Sequence, residues 1–174
     1  MNTTDNLSEV FDVVDVNDRV VGRAARREVH QNKNLIHRSV ALAVFNSNKK
    51  IFLQRRSVTK DTDALLWTIS CSGHVLTGEN YEETAYRELK EELGIEGVIL
   101  NFLTKYIYRG DIETEMTSLY KTNFNGEIVL QKAEIWEGKF FSLSELKVAV
   151  EIKEIELNLY GRMALEKLGW LDKS

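Results

Sequence analysis

At 174 residues the chain has the length of a single domain, enough to bury about 70% of the surface its unfolded form exposes. Hydrophobic residues make up 43% of it, which excludes a disordered chain, and no apolar run is long enough to span a bilayer. A net charge of −4 leaves no electrostatic footprint for nucleic acid, and the single cysteine, Cys71, excludes a disulfide framework and a cysteine-based zinc site.

The start, MNTTDNLSEV, has neither a basic region nor a hydrophobic stretch, so a cytoplasmic location is expected. Residues 1–8 are polar and expected to be flexible, with residues 9–174 forming one domain. Val10 to Val16 and Arg19 to Val21 flank Asn17-Asp18, residue types that tolerate the left-handed turn of a β-hairpin. The basic stretch RAARREVHQNKN that follows has no clear periodicity. Ser39 to Phe45 is a continuous apolar run suited to a strand buried on both faces. Asn46-Ser47-Asn48 turns the chain into a second strand, Lys50 to Arg55. The basic cluster Arg55 to Lys60 leaves that strand, and Trp67 and Ile69 form a short strand leading to Cys71, Ser72 and Gly73.

A helix is predicted from about Asn80, ending at Gly94 as a left-handed cap. Ile99 to Tyr108 alternates as a strand, and Glu113 to Thr122 forms the next one. Phe124-Asn125-Gly126 is a turn, and Ile128 to Trp136 and Lys139 to Phe141 supply further strands. Ser142 to Glu145 is a capping box opening a short helix. A last helix carries Ile152, Ile155, Leu159 and Met163 and stops at Gly169. The order of elements predicts an α+β fold, a mixed sheet covered by helices on both faces.

Within the helix at Asn80, Glu88, Glu91 and Glu92 stand at i, i+3 and i+4 and share one face. Ala85, Leu89 and Leu93 form a neighbouring apolar stripe that packs the helix down. Clustered carboxylates repel one another, so a solvated acidic face is the ordinary reading, and it suits Glu82 and Glu83. Hard oxygen ligands converging from one helix are also what Mg²⁺ or Mn²⁺ takes, leaving other coordination positions for water and phosphate oxygens.

The segment Gly73 to Ile95, GHVLTGENYEETAYRELKEELGI, resembles the signature of the Nudix superfamily. It matches at Gly73, Glu79, Arg87, Glu88, Leu89, Glu91, Glu92, Gly94 and Ile95, a coincidence expected by chance on the order of 10⁻⁷. The resemblance implies an α/β/α sandwich whose loop-helix-loop binds divalent metal and positions a diphosphate. It makes Glu88, Glu91 and Glu92 metal ligands, with Gly73 and Glu79 in the same loop. Arg87 would orient a glutamate, and Glu79 would support the loop or an outer metal shell. Arg56 and Lys60, just before the motif, are the expected contacts to substrate phosphate.

A narrower resemblance covers about Val13 to Tyr120. Type I isopentenyl-diphosphate isomerases, built on the same fold, carry a histidine pair matching His30 and His37. They also carry a histidine after the motif glycine, matching His74, and a Glu-x-Glu matching Glu113 and Glu115. In that family these five side chains hold a metal. This chain departs from the isomerases in two ways. Ser72 stands where they have a catalytic cysteine, with Cys71 one residue earlier and facing the other side of an extended strand. The helix signature is also intact, whereas the isomerases interrupt it.

The resemblance therefore implies a metal-dependent hydrolase cleaving a diphosphate linked to another group. Glu91 and Glu92, Arg87, and Glu113 or Glu115 would do the catalytic work, and the partner would be a small diphosphate compound. Two rival readings are isopentenyl-diphosphate isomerisation and a non-catalytic nucleotide-diphosphate sensor. The hairpin and exposed strands are surfaces of the kind homodimers use, which leaves the oligomeric state open.

Overall fold

The computed structural model describes residues 6, 8–60 and 62–173. Of the segment expected to be flexible, residues 1–5 and 7 lie outside the described residues, and Asn6 and Ser8 are exposed. Strands β1 (Val10–Val14) and β2 (Val20–Ala25) form the N-terminal hairpin. Its turn holds Asp18 at φ 63°, the left-handed conformation the sequence suggested. A single helical turn, α1 (Arg26–Val29), occupies the basic stretch.

The central strand β3 (Ile36–Phe45) organises the sheet. It pairs antiparallel with β1 and with β6 (Cys71–His74), and parallel with β8 (Thr114–Asn123). β4 (Ile51–Arg56) follows by a tight turn and pairs antiparallel with β5 (Trp67–Thr68) and β9 (Ile135–Phe141). β7 (Asn101–Arg109) pairs antiparallel with β8.

Why the apolar run at β3 must be continuous is clear from its neighbours. Val40, Leu42 and Val44 pack under α2 (Tyr81–Leu93), with Ala85, Leu89 and Leu93. Ala41 and Ala43 face the opposite core, beneath α3 (Leu143–Glu151) and α4 (Leu159–Lys167). Both faces of the mixed sheet are therefore covered, as expected for the α/β/α sandwich. Among the described residues no helix is long and apolar enough to cross a membrane.

Two expected elements differ. The strand proposed from Ile128 to Trp136 begins only at Ile135. Upstream of it, the amides of Val129 and Gln131 bond the carbonyls of Leu93 and Glu92 at 3.0 and 2.9 Å. Those amides satisfy the C-terminal end of α2 and so are lost to a ladder. The last helix starts at Leu159, leaving Ile152 as the cap of α3 and Ile155 in the connection. There Trp67 donates to the Glu156 carbonyl and accepts from the Asn158 amide, so the chain runs extended beside β5 until Asn158 caps α4. The periodicity was helical, but tertiary backbone pairing won.

Asp18 does more than turn the hairpin. Its carboxylate accepts from Arg38 Nε at 2.7 Å, Tyr81 OH at 3.0 Å and the Lys105 ammonium, tying β3, α2 and β7 to the turn. Burial opposes its charge, but the three donors outweigh burial and hold its carboxyl below the usual aspartate range. Asp18→Asn keeps the turn conformation and removes the charge, and is expected to cost about 1–2 kcal/mol at pH 7. A depressed folded value contributes stability above the unfolded value, near pH 4, and loses it as pH falls through the folded one. Urea unfolding should thus show variant and wild type diverging at pH 7 and converging as pH falls through the folded value.

Candidate active site

A cleft of about 400 Å³ opens where the ends of β3, β6 and β8 meet the N-terminal hairpin and α2. α2 is placed for this by its caps. Asn80 accepts from the amides of Glu82 and Glu83, each at 3.0 Å, and Gly94 takes φ 65° at the other end. Glu88, Glu91 and Glu92 all line the cleft. Glu88 and Glu92 are buried, whereas the Glu91 side chain is 58% exposed.

Arg87 is the clamp of this helix. It donates to Glu88 at 2.7 Å, to Glu91 at 3.1 Å, to the His74 carbonyl at 3.2 Å, and twice to Glu79 at 3.0 Å. Glu79 lies outside the cleft lining and also accepts from Thr84 at 2.8 Å, which ties the loop to the helix. Gly73 lies against Glu88 with no room for a side chain. Gln54, on β4, donates to Glu92 at 2.9 Å, and the buried Cys71 feels the charge of the same carboxylate. Burial and the charge of Glu92 raise the Glu88 carboxyl; burial and Glu134 raise Glu92.

These crowded, half-neutralised carboxylates are the donor set a hard divalent cation would relieve, so the residues fit an oxygen-ligated metal such as Mg²⁺.

A second cluster forms because the sheet register brings distant residues side by side. β3 places His37 opposite Glu115 of β8, and Ser39 opposite His74 of β6. Glu113 precedes β8, and His30 closes α1. Ligating atoms of His30, His37, His74 and Glu113 all lie within 4.8 Å of one another. Glu113 Oε2 is 2.9 Å from His30 Nε2 and 3.5 Å from His37 Nε2. Glu115 stands at the edge, 3.9 Å from His74 Nε2. Phe11 of the hairpin stacks on His37 at a ring-centroid distance of 5.3 Å and packs at a tilt against His74 at 4.9 Å.

The buried Nδ1 of His37 has no hydrogen-bond partner among the described residues. Converging imidazoles with a carboxylate suit a divalent metal, and the nitrogen-rich set favours the transition series over Mg²⁺. Burial opposes the charge of Glu113, but the three histidines prevail and lower its carboxyl; burial and Glu113 raise Glu115.

The basic stretch contributes Arg26, a residue that no sequence motif singles out. Its Nη1 lies 3.0 Å from His74 Nδ1. A guanidinium only donates, so Nδ1 accepts, and a neutral ring carries its proton on Nε2. Burial lowers the His74 pKa to about 3, which keeps the ring neutral. As arranged, His74 offers an N–H toward Glu113 and Glu115, and ligation through Nε2 requires Arg26 to let go.

Arg56 and Lys60 line the cleft as expected, but both are engaged: Arg56 donates to the Thr62 carbonyl at 3.1 Å, and Lys60 pairs with Glu134 at 2.7 Å. Sequence reading missed Glu134 because it lies in the segment read as a strand. Ser72 lines the cleft while Cys71 is fully buried, the alternation expected of an extended strand. Burial, with the charges of Glu92 and Glu88, pushes the Cys71 thiol well up, so it stays protonated.

The fold and this loop-helix-loop define a class, and comparison with known proteins agrees. The profile of the NUDIX domain matches residues 35–160, and the chain belongs to the Nudix family. It is 32% identical over 149 residues to isopentenyl-diphosphate Delta-isomerase 2 of Photorhabdus laumondii, covering 83% of each chain. It is 34% identical over 145 residues to an uncharacterised Nudix hydrolase of Streptomyces coelicolor, covering 82% of this chain and 79% of that one. A crystal structure of a Deinococcus radiodurans protein superimposes with TM-score 0.78 at 23% identity, covering 90% and 97% of the two chains, a likeness of fold.

Proposed function

We propose that the chain is a metal-dependent Nudix hydrolase cleaving the diphosphate linkage of a nucleoside-diphosphate-type substrate. The observation that carries this reading is the company Glu88, Glu91 and Glu92 keep: they share one cleft with Arg56 and Lys60, with a serine where isomerisation needs a thiol. Mg²⁺ or Mn²⁺, when bound, would neutralise the diphosphate and acidify water. Glu88, Glu91 and Glu92 would hold it, with Arg87 fixing the rotamers of Glu88 and Glu91 and Gln54 that of Glu92. Arg56, and Lys60 on leaving Glu134, would take phosphoryl oxygens and offset the charge that builds there.

Of the carboxylates weighed as general base, Glu92 suits the task best. Its affinity for protons is raised, whereas Glu113 is held ionised by its histidines and is a weak base. Glu115 belongs with the histidine cluster, 3.9 Å from His74 Nε2.

A second reading, isomerisation of isopentenyl diphosphate, is favoured by the cage of His30, His37, His74 and Glu113, and by the relatives named isomerases. A sensor without catalysis would not need the full glutamate set. The separating experiment presents ADP-ribose, dinucleotides, nucleoside triphosphates and isopentenyl diphosphate with Mg²⁺ or Mn²⁺. Hydrolysis predicts phosphoanhydride cleavage of at least one nucleotide. Proton exchange into isopentenyl diphosphate without cleavage of any compound would overturn it, and binding without any reaction would leave the sensor.

A further inference from the structure

Beside the phosphate-facing residues, the cleft has a wall the hydrolytic machinery does not use. Asp63 follows Thr62, the partner of Arg56, and takes φ 51°, a conformation costly for a residue other than glycine. Its carboxylate is pinned by Asn158 Nδ2 at 2.9 Å. The same Asn158 accepts from the Gly161 amide at 2.8 Å, so the first turn of α4 anchors Asp63. Thr68 stands next to this pair, since a methyl group at Gly161 would meet Thr68 Oγ1 at 2.7 Å and Asn158 Oδ1 at 3.0 Å.

Thr68 is 1% exposed, lines the cleft, and its hydroxyl has no hydrogen-bond partner among the described residues. Tyr108 lines the same cleft and packs edge-on against Tyr160 at 5.0 Å. Around the whole cleft the aliphatic lining among the described residues is Leu76 and Ala133. Binding pockets are usually walled mainly by apolar side chains, so this lining departs from the norm.

We infer that Asp63, Thr68 and Tyr108 form a hydroxyl-recognising subsite, and that the group carried on the substrate's diphosphate is sugar-like rather than a hydrocarbon. The inference rests on the hydrolase reading for the position of the diphosphate and adds what that reading leaves open. A sugar hydroxyl gives Thr68 Oγ1 the partner it lacks, and the side-chain oxygens of Asp63 accept from one or two such hydroxyls. A hydrocarbon tail would cover the same atoms and leave them unpaired. Sites built to bond a hydroxyl reject the analogue without it by factors on the order of 10⁴. Asp63 is a specificity residue here, and Asn158 a positioning residue acting through it.

The test measures binding calorimetrically with Ca²⁺ replacing Mg²⁺ to suppress turnover, using ADP-ribose, isopentenyl diphosphate and inorganic pyrophosphate. ADP-ribose is expected to bind at least tenfold more tightly than pyrophosphate, and isopentenyl diphosphate no more tightly. Thr68→Val and Asp63→Asn should each erase most of the ADP-ribose advantage and leave pyrophosphate affinity unchanged, circular dichroism reporting the fold. A tenfold advantage for isopentenyl diphosphate, no advantage for ADP-ribose, or intact ADP-ribose affinity in both variants would overturn the subsite. Its failure is distinguishable from failure of the hydrolase reading. Mg²⁺-dependent cleavage of nucleoside triphosphates with no binding advantage for ADP-ribose would defeat the subsite and spare the hydrolase; Asp63-dependent ADP-ribose binding without cleavage of any anhydride would do the reverse.

Discussion

Glu91→Gln and Glu92→Gln are each expected to reduce Mg²⁺-dependent turnover by about a hundredfold or more, with the protein still folded. Glutamine matches glutamate in shape but offers a metal one weaker oxygen and a water no base. The two positions should differ in stability. Glu91 is exposed, so its replacement leaves the thermal midpoint near wild type. Glu92 is buried beside Glu88 and Glu134, and removing its charge relieves repulsion that raises both it and Glu88. In the metal-free protein Glu92→Gln should therefore melt at or above the wild-type temperature. Near-normal Mg²⁺-dependent rates in both variants would refute the roles given to these glutamates. A folded, inactive and stabilised Glu92→Gln would show that the carboxylate is retained for chemistry at a cost to the fold.

The second large effect is expected at Gly73, where no charge is changed. A Cβ there would lie 2.0 Å from Glu88 Oε1 and 2.1 Å from its Cδ. Such contacts are impossible, so in Gly73→Ala either the strand or the Glu88 carboxylate must move. The strand is held to β3 by the pairing of Gly73 with Val40 and of Ser72 with Ala41, and the glutamate is the softer of the two. Displacing it breaks the 2.7 Å contact from Arg87 and takes a metal ligand from its place. Turnover should fall roughly tenfold to a thousandfold, a range set by the cost of misplacing a reacting group by an ångström or of losing one charged contact. Mg²⁺ affinity, read by titration without substrate, should weaken in step. Unchanged metal affinity and rate would mean that Glu88 is dispensable to the site.

How much of this was legible beforehand follows from the range of the interactions involved. The hairpin turn at Asp18, the caps of α2 at Asn80 and Gly94, and the capping box at Ser142 rest on side chains bonding their own neighbours, and such signals survive in the sequence. The glutamates of α2 share a face through helical periodicity alone. The failures have the opposite character. Ile152 and Ile155 have helical spacing, yet the chain beside them is drawn out by the backbone of Trp67, far away in sequence. The segment before Ile135 looks like a strand, yet its amides are spent on the carbonyls of Leu93 and Glu92.

By itself the sequence determined the class of protein and the helix that carries its carboxylates, because spacing along one chain suffices to put three side chains on one helical face. It also determined that Ser72 and Cys71 face opposite ways, since alternation is a property of any extended strand. Only the tertiary structure decided that Arg26 fixes the proton on His74, that Gln54 holds Glu92, and that Asn158 pins Asp63. Each of those contacts joins residues from separate elements, and a hydrogen bond holds only at about 3 Å, a distance set by packing rather than by order along the chain.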